Sequence, residues 1–363
     1  MSKNVIIGLG NTGTQIIKVI ATRPLLKDVK LYSIDSVLSS VDLDSLASIT
    51  TIPIISDTKC GSGRDRDRGA AMFSYHEELG SFEKMYEDAA DAKSPVIVIT
   101  SSAGGTGSGS VVPLCRTLKK MGVDVIPIIV TPSMEDPDSY QFNTSDLFVD
   151  LGEVGIETYN VFRNKAGTFN YAPINNEIAD LVELILGKRY GETKLDSIDD
   201  QDLDNLLSTS GRFIGVTAKA PDIETLSREI ASKLFAGNQP VWKDEDIEPT
   251  NFVMTAMSLK SIFADADFGK VFDEVMSRIT CNKYESFKNI EKIDNNGECE
   301  ATFIIAGLPR PDIKIIDTEY SEVGGINKGI NRSKRPGMTR KKKATITEQT
   351  DSSGNSIKKF NWH

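Results

Sequence analysis

The chain has two histidines in 363 residues, His76 and His363. A histidine-built metal site or a Ser/His/Asp triad has too few imidazoles to draw on. Cysteine is also sparse: Cys60, Cys115, Cys281 and Cys299 show neither close pairing nor metal-ligand spacing. They read as the reduced thiols of a cytoplasmic protein. No apolar run reaches the roughly 18 residues of a membrane span, and Met1–Val5 does not lead into a signal-peptide apolar region, so no membrane partner is expected. Net positive charge is lacking too. The balance of −10 argues against a protein whose bulk binds nucleic acid. The length suffices for a sizeable core and two domains.

Glycine is plentiful, and its placement is informative. Ser101-Ser102-Ala103-Gly104-Gly105-Thr106-Gly107-Ser108-Gly109-Ser110 follows the β-branched run Pro95–Thr100 and precedes Val111–Lys120, whose apolar spacing suits a helix. Glycines at a strand-to-helix junction let the main chain approach a ligand where helix N–H groups lack partners. Thr106, Ser108 and Ser110 add hydroxyl donors. That chemistry suits phosphate, against the plainer reading of a flexible Gly/Ser turn. A second junction has the same form: Asn4–Ile7 runs into Gly8-Leu9-Gly10-Asn11-Thr12-Gly13, a G-x-G-x-x-G between strand and helix. The strand Val29–Ile34 then ends at Asp35, where a dinucleotide fingerprint expects a ribose-binding acid. These residues alone would allow an NAD-dependent oxidoreductase.

The next stretch departs from that pattern. After an apolar strand at Ile52–Ile55 comes Cys60-Gly61-Ser62-Gly63-Arg64-Asp65-Arg66-Asp67-Arg68-Gly69, with arginines and aspartates alternating between glycines. Arginines can pair with phosphate, and the aspartates can hold a metal-bound water or lock the arginines. A solvated charge run is the alternative. Alternating strands and helices predict a parallel α/β sheet with all three loops at its C-terminal edge.

Ser102–Gly109 resembles the glycine-rich signature loop of the tubulin and FtsZ superfamily. The resemblance implies a Rossmann-like GTP-binding domain over 1–174, a central helix with an acidic catalytic loop over 175–208, and a smaller α/β domain over 209–310. It implies GTP or GDP contacts from Gly10, Asn11, Thr12, Gly13 and Gln15 in the first loop and from Asp35 in the second. Further contacts would come from Gly61, Gly63 and Arg64 in a γ-phosphate loop, and from Ala103, Gly104, Gly105, Thr106, Gly107 and Ser108 in the signature loop. Pro132 and Asp138 fall at the ribose loop. Asn175 and Asn176 fall where a central helix reads the guanine edge, although asparagine there is equally an N-cap. Mg²⁺ would be held mainly by nucleotide phosphates and water.

Leu195–Leu207 is acidic. Read alone it is a solvated loop, but it is similar to the superfamily's catalytic loop, with Asp199 and Asp202 on its two carboxylates and Asp200 between them. The implied mechanism has this loop complete the site of the next subunit in a head-to-tail filament and position the attacking water. Strands are predicted at Arg212–Thr217, Asn251–Met257 and Glu300–Gly307, with helices at Ile223–Phe235 and Phe268–Ile279. From about Asp312 the chain is polar and basic, and it is predicted to be largely disordered. Within the superfamily the chain looks most like TubZ. That implies treadmilling filaments in a bacterial host's cytoplasm that segregate plasmid or bacteriophage DNA through a centromere-binding adaptor docked on the tail. Division or phage-spindle filaments are the alternative.

Overall fold

In a computed structural model the protein is described at residues 3–37, 48–55, 61–133, 135–165, 167, 170–186, 198, 200–239, 253–279, 284–293, 298–308, 344–350 and 356–362. Strands β1 (Val5–Leu9), β2 (Lys30–Asp35), β3 (Ile49–Pro53), β4 (Val96–Ser101), β5 (Val125–Thr131) and β6 (Thr158–Arg163) pair in parallel in the order β3-β2-β1-β4-β5-β6. The sheet continues through β7 (Gly211–Ala220), β10 (Cys299–Leu308), β8 (Val253–Ser261) and β9 (Tyr284–Lys292). Among these, β10 runs antiparallel to both its neighbours.

Strict alternation along the strands divides the core. Val5, Ile7, Leu9, Val96 and Val98 face one layer; Ile6, Ile97 and Ile99 face the other. The first layer is covered by α2 (Arg66–Glu78), α3 (Glu83–Ala90), α4 (Thr106–Lys120) and α5 (Asp138–Glu153). The second is covered by α1 (Gly10–Ala21), α6 (Ala172–Ile185) and α7 (Asp200–Ser208). A third cluster joins β7, β8 and β10 to α8 (Ile223–Ala236) and α9 (Ala264–Met276). Helix α6 belongs to both halves. Its Ile174, Ile178, Leu181 and Leu184 share a core with Ile16 and Ile20 of α1 and with Phe213, Ala256 and Ile304 beyond β6. At Gly215 of β7, an added Cβ would lie 2.5 Å from Leu181 Cδ1, so glycine there lets the central helix sit directly on the strand.

Several boundaries differ from expectation. The edge strand β3 covers Ile49–Pro53 instead of Ile52–Ile55, because the β-branched Ile49, Thr50 and Thr51 already pair with Leu31, Tyr32 and Ser33 of β2. Helix α6 begins at Ala172 with proline in its first turn, so Asn175 lies inside it and is not its N-cap. Strand β9 was not anticipated. Its sequence YESFKNIEK buries only Asn289 and Ile290, as an edge strand does. The tail, expected to lack regular structure, contains a hairpin of β11 (Ala344–Thr350) and β12 (Ser356–Trp362), paired from Ala344↔Trp362 to Thr350↔Ser356. Alternation in ATITEQT and SIKKFNW around DSSGN is a hairpin pattern that net charge obscures. Among the described residues no helix is long and apolar enough to cross a membrane.

Candidate functional site

Three loops meet at the C-terminal edge of the parallel sheet, and glycine is what lets them meet. Gly10 opens α1 with φ of 66°, and a Cβ on it would lie 2.9 Å from Gly107 N at the start of α4. A Cβ on Gly105 would overlap Ser62 Oγ and come within 2.7 Å of Asp65 N. No alanine fits either position. The loops after β1, before α2 and before α4 are thus packed backbone to backbone.

Both helices that start here begin without a side-chain cap. Leu9 precedes α1 and Gly105 precedes α4; neither accepts a first-turn N–H, and neither helix has an acid in its first turn. The open N–H groups and the positive dipole ends of two helices converge on one edge. Helix α2, a few ångströms away, is capped: Asp65 accepts the Arg68 N–H at 3.0 Å. Gly104 faces open space, with nothing within 4 Å of an added Cβ.

The polar side chains around the cradle have distinct jobs. Thr106 Oγ1 shares hydrogen bonds with Ser36 Oγ at 2.7 Å and Ser62 Oγ at 3.0 Å, tying the signature loop to the loops on either side. Asp35 is buried and accepts the Ser36 N–H at 2.7 Å, so it organises the start of its own loop. Ser108 was expected to face a ligand. Instead it is fully buried and donates back to Gly104 O; Ser110 is buried as well. Helical phase turns both hydroxyls inward once α4 begins at Thr106. Burial also pushes the Cys115 thiol in α4 up to about 12, which leaves it an inert core group.

The arginine run resolves into unlike residues. Arg66 is buried, with Nη2 on Asp150 Oδ2 at 3.0 Å, Nη1 3.9 Å from Asp146 Oδ2, and Nε on Ser108 O at 3.4 Å. It is a structural tie between α2, α4 and α5. Arg64 is exposed, with its guanidinium 4.7 Å from the centre of the Tyr140 ring. Its φ of 66° makes it the one non-glycine residue with positive φ among the described residues. Gly61 and Gly63 flank Ser62 in the same loop, Gly63 with φ of 63°.

On α1, Asn11 and Gln15 stand one turn apart on the exposed side, joined by a 3.3 Å hydrogen bond, with Thr12 beside them and Gly13 packed against Ile99 O. Ala103 opens the signature turn. Pro132 is buried just after β5, and Asp138 is exposed in the first turn of α5, where a carboxylate favours the helix dipole. Asn176 is engaged: its Nδ2 donates to Ala172 O at 2.8 Å and its Oδ1 accepts from Arg23 at 2.9 Å, beside the Arg23–Asp180 pair at 3.1 Å. Asn175, half-buried on the next position, is the remaining amide there.

The acidic segment is elsewhere. Asp199 lies outside the described residues. Asp200 is the first residue of a helix and not part of a loop as expected, because Leu203, Leu206 and Leu207 at helical spacing bury into the core. Asp202 sits in that helix, half-buried. Helix α7 borders a groove lined by Pro95, Asp124, Thr158, Gln201, Asp204 and Asn205, at the starts of β4, β5 and β6. Thr158 Oγ1 donates to Thr209 O just beyond α7. The glycine loops and the acidic helix therefore occupy opposite edges of one sheet. Among the described residues no group of three or more His, Cys, Asp or Glu could hold a metal ion.

A ten-stranded, mostly parallel sheet with three glycine loops at one edge and a central helix bridging to a second α/β half is the fold of the tubulin and FtsZ class. Among solved structures, the chain is similar to CetZ1 of Haloferax volcanii, a GDP-bound monomer, at 17% identity over 88% of this chain and 99% of that one, with a TM-score of 0.64. It is similar to TubZ of Bacillus thuringiensis serovar israelensis, solved as a GTPγS-form protofilament, at 16% identity over 89% and 92%, TM-score 0.65. FtsZ of M. jannaschii, solved as an empty dimer, matches at 17% over 84% and 88%, TM-score 0.62. No protein-family model and no curated protein sequence matches the chain.

Sequence reasoning missed two residues of the cradle. Ser62 was read only as part of a charged loop, and Asn143 of α5 not at all. Asn143 Nδ2 donates to Arg64 O at 3.1 Å and to Ala103 O at 3.0 Å. Nothing in the local sequence around Asn143 marks it.

Proposed function

We propose that the protein is a GTPase that binds guanine nucleotide at the glycine-loop edge and polymerises head to tail. One observation carries this reading: the phosphate-type cradle and the acidic helix lie on opposite edges of the same sheet. A group needed for phosphoryl transfer but placed on the wrong side of its own subunit can act only on a neighbour, and a heterologous contact of that kind propagates into a filament. The protofilament form of the similar TubZ structure and the GDP of the similar CetZ1 structure support both halves of the proposal.

In this reading the open N–H groups of α1 and α4 take the phosphates, and Arg64 stands beside them as an exposed cation. Gln15 and Asn11, with Asn175, are the amides available to the base. Mg²⁺ would rest on phosphate oxygens and water and would offset charge on the transferred group. Asp202, with Asp199 and Asp200, would orient the attacking water across the joint. The basic tail supports a role in DNA segregation through a centromere-binding adaptor, as proposed for a TubZ-like filament. Light scattering and phosphate release are measured together after adding GTP and Mg²⁺. Wild type is expected to polymerise and release phosphate. Asp202→Ala is expected to polymerise with phosphate release slowed about 100-fold or more, in the range of a lost catalytic group. Phosphate release by the variant at the wild-type rate overturns the assignment of catalysis to α7.

A further inference from the structure

We propose that Asn143 is a positioning residue that presets the phosphate cradle by pinning two loop carbonyls with one amide. The proposal rests on the nucleotide reading above and names a residue that this reading did not use. Asn143 is 7% exposed, on the face of α5 that meets the loops. Its Nδ2 donates to Ala103 O in the signature loop and to Arg64 O in the loop before α2. The next residue, Thr144, shares a 2.7 Å hydrogen bond with Ser102 Oγ. Tyr140, one turn earlier, lies under the Arg64 guanidinium. One face of α5 thus holds both loops.

The consequence follows from peptide geometry. In a trans peptide the N–H points opposite to the preceding C=O, and no cis peptide is present among the described residues. With Ala103 O drawn onto Asn143, the Gly104 N–H is turned away from α5. Gly104 is the residue whose missing side chain leaves open space in front of the cradle. The same amide holds Arg64 O, and Arg64 carries the left-handed backbone that a β-carbon disfavours. A side chain of this length offering two N–H bonds is specific to asparagine: aspartate of the same shape offers acceptors only and would set them against two carbonyls.

The test is titration with a fluorescent non-hydrolysable GTP analogue and with fluorescent GDP, with melting temperature measured in parallel. Asn143→Asp is expected to weaken binding of the triphosphate analogue about tenfold or more, the value of one to two lost hydrogen bonds. Measured against Arg64→Gly alone, so that the missing guanidinium is common to both proteins, Asn143→Asp in the Arg64→Gly background is expected to recover part of that loss, because glycine removes the backbone strain that the pin holds. A role confined to stability would lower the melting temperature without this recovery. If Asn143→Asp does not fold, Asn143→Ser, which keeps a single donor, replaces it with the same expectation in smaller measure. Wild type that binds while the Asn143 variant binds both nucleotides within about twofold overturns the pin and leaves the nucleotide reading intact. Wild type that binds neither overturns both.

Discussion

Helix starts are built in two ways in this molecule. Helices α2 and α8 are closed by aspartates: Asp65 takes the Arg68 N–H, and Asp222 takes the Thr225 N–H at 2.8 Å and its hydroxyl at 2.9 Å. Helices α1 and α4 have no such side chain: Leu9 and Gly105 occupy the positions where one would stand. Unmet first-turn N–H groups cost stability in the free protein, so a fold that caps α2 beside them and leaves α1 and α4 open has kept those donors available. Helices α3, α5, α6 and α9 lack a side-chain cap as well, so it is the meeting of α1 and α4 on one glycine-built edge, and not the missing cap alone, that marks where an anion is expected.

The sharpest way to break the comparison is at adjacent glycines. Gly105→Val places carbon atoms into Ser62, Asp65 and Arg64, and the loops cannot pack without separating. Nucleotide binding is expected to fall by about 100-fold or more, with a lower melting temperature, as for other overpacked sites. Gly104→Ala meets nothing within 4 Å. Its melting temperature is expected to match wild type while affinity drops about tenfold, because its methyl enters only the space assigned to ligand. Calorimetry and nucleotide titration of both variants separate packing from binding. A Gly104→Ala protein that binds as wild type does would move the phosphate away from the signature loop.

Much of this was legible in the sequence. Strand-to-helix junctions at Gly8–Gly13 and Gly104–Gly109 follow from β-branched runs interrupted by glycine, and all three loops did land on one edge. The individual side chains were not legible. Arg64 and Arg66 are two positions apart with the same chemistry, yet one is exposed and the other is buried on Asp150, because helix α2 starts between them. Ser108 and Thr106 differ likewise by phase within one turn. Asn143 acts on residues 40 and 79 positions away. Such long-range pairs leave no local periodicity to read.

The opposite half of the comparison predicts a smaller effect. Asp222→Ala is expected to lower the melting temperature by about 3 °C, as for a lost N-cap in a chain of this size, and to leave nucleotide affinity unchanged. The Thr225 N–H, then its hydroxyl, holds the Asp222 carboxyl below the usual carboxylate range. A carboxyl with a depressed folded pKa stabilises above its unfolded value near 4 and loses that contribution as pH falls below it. Wild type and variant should therefore differ at neutral pH and converge in acid, in melts run across pH. A difference that persists to low pH would assign the loss to packing and not to the cap.

The smallest effect belongs to Ser110. A serine in the signature loop reads as a ligand donor, but its hydroxyl is fully buried and has no hydrogen-bond partner among the described residues. Removing an unsatisfied buried hydroxyl is neutral or mildly favourable, whereas removing a ligand donor costs affinity. Ser110→Ala should raise the melting temperature by about 1 °C. Its nucleotide affinity should stay within about twofold of wild type, against the tenfold drop expected at Gly104. The two substitutions lie six positions apart in the same loop-helix unit, so only the direction each residue faces separates them. If Ser110→Ala lost affinity as Gly104→Ala does, the first turns of α4 would have to rotate when nucleotide binds, and the open cradle would be one of two arrangements of that helix.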